Sequence, residues 1–192
     1  MIETDRLLIR PFASDDLVEI HRILDQAFSD GSNVDDETEL QARRSWLQWS
    51  ILNQKWFPRM YQPPYGDRAI VLKQTRALIG SVGYVPLLDV FDQIPALSQG
   101  ASPGGFTTPE FGLFWAIDPA HQRQGYATEA AQAMITYAFE QLRLKRIVAA
   151  TEYTNEASQG VMRKVGMDIT RNPLPDPPWL QIVGFLENSD LG

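Results

Sequence analysis

The stretch WAIDPAHQRQGYATE, Trp115 to Glu129, decides how the rest of this chain is read. It opens on an apolar run, Phe114 to Ile117, and breaks at Pro119. A short polar loop follows, and then a helical pattern carried by Ala130, Ala131, Met134, Ile135, Ala138 and Leu142. The loop Gln122-Arg123-Gln124-Gly125-Tyr126-Ala127 puts a glycine and a small residue where backbone can approach another group closely. A strand feeding such a loop into a helix N-terminus aims unpaired N–H groups, and the positive end of the helix dipole, at one point. That arrangement suits an anion, phosphate above all. Taken alone, the loop also fits an ordinary strand-to-helix turn. It is neither of the better-known phosphate loops. No Gly-Lys-Ser/Thr ending is present, and the Gly-x-Gly-x-x-Gly spacing of a dinucleotide fold is missing.

Gln122-x-x-Gly125-x-Ala127 resembles motif A of the GNAT superfamily of acyl-CoA N-acyltransferases, Gln/Arg-x-x-Gly-x-Gly/Ala, at every fixed position. Two further stretches carry the likeness. Thr4-Asp5-Arg6-Leu7-Leu8-Ile9-Arg10-Pro11, followed by Asp15-Asp16, is similar to the opening of the branch that contains the ribosomal-protein N-terminal acetyltransferases. Asn155-Glu156-Ala157-Ser158, running on through Val161 to Gly166-Met167, resembles that branch's Asn-x-x-Ser helix and its Lys-x-Gly-Phe/Met exit. The resemblance implies a mixed α/β fold, a single GNAT acetyltransferase domain over residues 1–192. Its sheet would be central and mostly antiparallel, six- to seven-stranded, with a parallel splayed strand pair and about four flanking helices.

Composition sets the outer bounds. A chain of 192 residues with 44% hydrophobic and 10% aromatic residues is long enough to bury one sizeable core. With no cysteine, disulfides, thiolate nucleophiles and cysteine zinc sites are excluded. With only His21 and His121, a histidine-rich metal site is not expected, and none is assigned. Charged residues interrupt the start and no apolar run approaches a membrane span, so no membrane association and a cytoplasmic location are expected. A net charge of −7 and a pI near 4.8 argue against nucleic-acid binding. The same charge is compatible with a cationic amine substrate.

Outward from the loop, Leu7-Leu8-Ile9 reads as a first strand stopped by Pro11, and Ser14 as the N-cap of a helix with Asp15 and Asp16 in its first turn. His21 sits beside that helix's apolar stripe as a structural histidine. Asp30 to Asn33 is a turn, and a second helix begins near Asp35 and ends about Lys55. Trp46, Trp49, Trp56 and Phe57 crowd this region, mostly as core, and one or two are candidates to line an acceptor pocket. Arg68–Lys73 and Ala77–Val85 read as antiparallel strands around a Gln74-Thr75 turn. Asp89 to Pro109 is a long Gly- and Pro-bearing loop, read as a lid or a dimer contact, which leaves a homodimer open. Glu110 to Ile117 enters the motif, Arg146 to Thr151 is the next strand, Asn155 starts the last helix with Gly166 as its stop, and Trp179 to Phe185 closes the sheet.

The resemblance implies acetyl-CoA as cosubstrate, with its pantetheine arm paired to the backbone of Trp115, Ala116 and Ile117. It places the diphosphate on the N–H groups of Gln122 through Thr128, and gives Asn155 and Ser158 further contacts to the coenzyme. The acetyl group would pass directly to a primary amine, on a small molecule or a peptide N-terminus. Many relatives carry a tyrosine as the thiolate's acid at the position that is Met162 here, which cannot donate a proton. Ser158 is therefore assigned to the thiolate, and Glu110, the carboxylate on the entering strand, to the base. In an unbroken strand Glu110 and Ile117 point to opposite faces. Glu129 is a partner of the helix dipole rather than a catalyst. The competing reading is a non-catalytic CoA-binding sensor.

Overall fold

The computed structural model describes residues 1–28, 36–98 and 108–188. The expected turn at Asp30 to Asn33, and residues 99–107 of the long loop, lie outside the described residues. In chain order the strands are β1 (Ile2–Glu3), β2 (Leu7–Arg10), β3 (Gly66–Leu72), β4 (Leu78–Asp89), β5 (Thr108–Ile117), β6 (Arg146–Thr151), β7 (Asp168–Arg171) and β8 (Ile182–Glu187). The helices are α1 (Leu17–Phe28), α2 (Asp36–Trp56), α3 (Tyr126–Glu140) and α4 (Glu156–Lys164). The strands form one mixed sheet in the order β1-β2-β3-β4-β5-β6-β8-β7. The α/β class, the four helices and the parallel pair agree with expectation. Among the described residues the sheet has eight strands rather than six or seven, because the two-residue β1 and the four-residue β7 carry too little pattern to be read as strands. Among the described residues no helix is long and apolar enough to cross a membrane.

By contact density the chain divides into two compact units, Met1–Tyr84 with Phe114–Met134, and Val85–Leu113 with Ile135–Gly192. In the first unit β2, β3 and β4 form antiparallel ladders. Ala69 and Val71 alternate with Ile70 along β3, so one face packs against Ile20, Ile23 and Leu24 of α1 and Leu47 of α2. Chain entry to α1 differs from expectation. Ser14–Asp16 is a single 3-10 turn capped by Ala13, not by Ser14. The Asp16 carboxylate folds back to accept the Ala13 N–H at 2.8 Å and both Arg10 amines at 2.7 and 2.8 Å. Of the aromatic cluster, Trp46 packs on the core edge-on to Phe12, with ring centroids 5.4 Å apart. Trp49 and Trp56 are about half exposed.

In the second unit β5 meets β6 in parallel at a single register, Gly112 opposite Val148. A Cβ at Gly112 would fall 2.5 Å from the Leu87 side chain, so glycine lets that contact form. β8 then pairs antiparallel with β6 and β7. The first part of the long loop is core rather than lid. Phe91 and Ile94 are 2% and 0% exposed and pack with Val148, Leu180 and Val183. Burying two such side chains contributes about 2 kcal/mol each. α4 ends as expected at Gly166, whose φ of 82° is one glycine adopts freely. There Gly166 N–H donates to the Arg163 carbonyl and Met167 N–H to the Met162 carbonyl, the paired bonds of a Schellman stop.

Candidate active site

The end of β5 is fixed before the loop begins. The Ala116 carbonyl lies against Gly80 of β4 so closely that a Cβ there would stand 2.2 Å from it. Asp118 follows, 3% exposed. Its carboxylate accepts the Ala120 N–H at 3.0 Å and Arg22 of α1 at 2.7 Å, with His121 Nδ1 3.2 Å away. The Arg22 hydrogen bond holds this carboxyl below the usual carboxylate range despite its burial. Gln122 Nε2 then donates back to the Ile117 carbonyl at 3.0 Å. The turn that carries the motif is thus held by the side chains of Asp118, His121 and Gln122 and one arginine from α1.

Gln122 to Gly125 face solvent. Arg123 has φ of 61° and Gly125 φ of 84°, so the loop visits the left-handed region twice within three residues. The first α-helical bond of α3 runs from Glu129 N–H to the Gly125 carbonyl at 3.0 Å. The N–H groups of Tyr126, Ala127 and Thr128 therefore have no partner within the helix. Where helices usually place a Ser, Thr, Asp or Asn cap, this one has Gly125, which has no side chain to satisfy them. The residues present fit a diphosphate: donors without a helical partner, a dipole of about half a positive charge, and glycine where backbone must approach.

The N-terminal residues reach this place too. Glu129 Oε1 accepts the Thr4 hydroxyl at 2.5 Å and the Arg6 N–H at 2.9 Å, and Oε2 accepts Arg6 Nε at 2.6 Å. Arg6 Nη1 donates to the Gln124 carbonyl at 2.9 Å, and the guanidinium lies 4.5 Å from the Tyr126 ring centroid. These bonds outweigh burial and hold the Glu129 carboxyl below its ordinary value. Glu129 thus does more than face the helix dipole. Its link to Thr4 and Arg6, more than a hundred residues away, carries no local pattern.

The catalytic candidates lie in the second unit. Glu110 is paired with Arg146, which donates from Nε at 3.0 Å and also from Nη2. Arg146 donates further to Glu187 at 3.1 Å, and Glu110 raises the Arg146 guanidinium above its ordinary value. Asn155 is the N-cap of α4, its Oδ1 accepting the Ser158 N–H at 3.0 Å. Ser158 is half-buried in the first turn behind it. Met162 is 1% exposed and packs on Gly184 of β8, so the position at which the resemblance implies a proton donor is part of the core here. Among the described residues no group of three or more His, Cys, Asp or Glu could hold a metal ion.

One buried carboxylate has no local signature in the sequence. Asp67 on β3 is 7% exposed, and burial pushes it up to about 6. The Trp46 indole N–H, its own backbone N–H and the nearby Arg43 pull the other way.

Residues 6–168 match the model of the acetyltransferase (GNAT) domain family. The chain belongs to this family. As a GNAT acetyltransferase it is similar to YnaD of Bacillus subtilis, an uncharacterized N-acetyltransferase 28% identical over 170 residues, which are 86% of this chain and 81% of that protein. Its fold is similar to a ribosomal-protein-S5-alanine acetyltransferase from Vibrio fischeri, with a TM-score of 0.66 and 18% identity over 99% of this chain and 97% of that one. It is also similar in fold to RimL, a ribosomal L7/L12 α-N-protein acetyltransferase solved with coenzyme A. There the TM-score is 0.61 and the identity 14%, over 95% and 93% of the two chains.

Proposed function

We propose that this GNAT acetyltransferase uses acetyl-CoA to acetylate a primary amine directly, a protein N-terminus before a small-molecule amine. The observation that carries the coenzyme half is the start of α3 behind Gly125, where three main-chain N–H groups precede the first helical hydrogen bond and the glycine has no side chain to cap them. The net charge of −7 favours a cationic acceptor, and two fold neighbours are ribosomal-protein acetyltransferases. Acetyl-CoA supplies an activated thioester, so no covalent intermediate on the protein is needed, in accord with the absence of cysteine.

In this reading the main chain of Trp115, Ala116 and Ile117 takes the pantetheine arm, and that of Gln122 to Thr128 the diphosphate. Asn155 and Ser158 complete the coenzyme contacts, and the Ser158 hydroxyl stabilises the leaving thiolate. Glu110 receives the ammonium proton. A carboxylate offers about four lone-pair sites and the Arg146 fork engages one on each oxygen, which leaves room for a further donor. The burial of Met162 supports the alternative, a coenzyme-binding sensor without turnover.

Calorimetry with acetyl-CoA, followed by detection of free thiol on adding short peptides with free N-termini, polyamines and aminoglycosides, separates these outcomes. Uptake with amine-dependent thiol release is expected. Uptake without release over the whole panel would favour the sensor, and no uptake would end both.

A further inference from the structure

The main-chain donors behind Gly125 carry partial charges, whereas a diphosphate carries full ones. A formal positive charge stands next to them. The Arg6 guanidinium is oriented by the Glu129 carboxylate through Nε, by the Gln124 carbonyl through Nη1, and by the Tyr126 ring beneath it. Its remaining amine, Nη2, faces Gly125: a Cβ built there would stand 3.3 Å from it, and apart from the adjoining residues no other atom comes within 4 Å. The side chain is 47% exposed, so it is held in place without being covered.

We propose that Arg6 is a coenzyme-binding residue, a guanidinium that Glu129 positions to meet the diphosphate beside the N–H groups of α3. The proposal rests on the reading of this loop as the diphosphate site. Two effects act in the same direction. Arginine stays charged at any physiological pH, and its planar fork matches phosphate oxygens. It also neutralises Glu129, a carboxylate in the first turn of α3 that would otherwise repel the same anion. Thr4 and the Arg6 backbone N–H hold Glu129 from the other side, so the acidic residue that favours the helix start is kept from opposing the ligand.

The test compares acetyl-CoA with S-acetylpantetheine, which lacks the diphosphate, by calorimetry on the full chain at low and high salt. For Arg6→Gln, acetyl-CoA affinity is expected to fall by roughly ten- to a hundredfold, the range of one or two charge-assisted hydrogen bonds. Most of the salt dependence should disappear with it. S-acetylpantetheine should bind as before. Arg6→Lys keeps the charge without the fork and should fall between. Adding Glu129→Gln to Arg6→Gln should recover part of the loss, because the uncompensated carboxylate is gone. A purely structural Arg6 would lower the melting temperature and weaken both ligands alike with the salt dependence intact, and that result, or an unchanged acetyl-CoA affinity, overturns the proposal. If Arg6→Gln does not fold, Arg6→Lys decides by the same salt and ligand comparison. If the unaltered chain takes up no acetyl-CoA, the loop reading itself falls and the proposal with it. Uptake that is indifferent to Arg6 removes the proposal alone.

Discussion

Two helices of this chain begin in opposite ways. α4 starts behind Asn155, whose side chain turns back to accept the Ser158 N–H, so one of the exposed donors of the first turn is answered within the chain. α3 starts behind Gly125, which can answer none. The α4 start is a self-sufficient terminus. The α3 start is held from outside instead, by Asp118 below the loop and by Thr4 and Arg6 beside it. Its local stability has been moved to neighbours, and its own first donors have no partner within the helix. A helix end supported everywhere except at its donors is the arrangement the proposed diphosphate contact requires.

The largest effect should come from filling the gap. Gly125→Val puts a β-branched residue at φ of 84° and against Arg6 Nη2, and acetyl-CoA uptake measured by calorimetry should fall at least a hundredfold, about 2.7 kcal/mol. The melting temperature should fall less in proportion, since the position is exposed. Removing the support rather than the donors reverses the balance. Asp118→Ala strips the Ala120 N–H, Arg22 and His121 of a shared acceptor and should cost about 2–3 kcal/mol in denaturant unfolding, with ligand affinity reduced as a consequence.

The carboxylates sharpen the contrast by their pH behaviour. Glu129 and Asp118 are held below their ordinary values, so the stability they add is present above the unfolded carboxylate range and is lost as pH falls through their folded values. Asp67 runs the other way. Its folded value of about 6 lies above the unfolded one, so its charge is a cost, full above that pH and absent once both states are protonated. Asp67→Asn should therefore raise stability at neutral pH by up to about 3 kcal/mol, two pH units of differential binding, and the gain should close below about pH 4. Equal curves for the two proteins across that range would rule this out. The smallest effect belongs to the capped helix: Asn155→Ala should cost about 1 kcal/mol by thermal unfolding. If Asn155 is only a cap, acetyl-CoA affinity will not move with it; a parallel loss would add a coenzyme contact.

Much of the fold was legible because it is written in local period and punctuation. Arg146–Thr151 is a run of β-formers and forms β6 at its expected bounds, and Gly166 stops α4 where the pattern ends. What failed to show has physical reasons. β7 has two polar ends in four residues, and becomes a strand only because β8 pairs with it. The Asp16 cap is invisible because its partner, Arg10, belongs to the preceding strand. Phe91 and Ile94 look like loop because Pro95 and the glycines beyond them dominate the composition, whereas their burial depends on β6 and β8. Of the candidate site, the Gly125 loop could be read from spacing. The pairing of Glu110 with Arg146 could not, since the two residues sit on different strands 36 positions apart.

The first compact unit is discontinuous, since Met1–Tyr84 is completed by Phe114–Met134. During synthesis at roughly 5–20 residues per second, the early part must wait on the order of several seconds for its missing piece. Until then Thr4 and Arg6 have no Glu129 to grip, and the face of β3 and α1 that receives Ala116 stays uncovered. The Gly125 loop is thus among the last parts of its unit that can settle. A nascent chain arrested before residue 134 should be a chaperone client rather than a ligand binder.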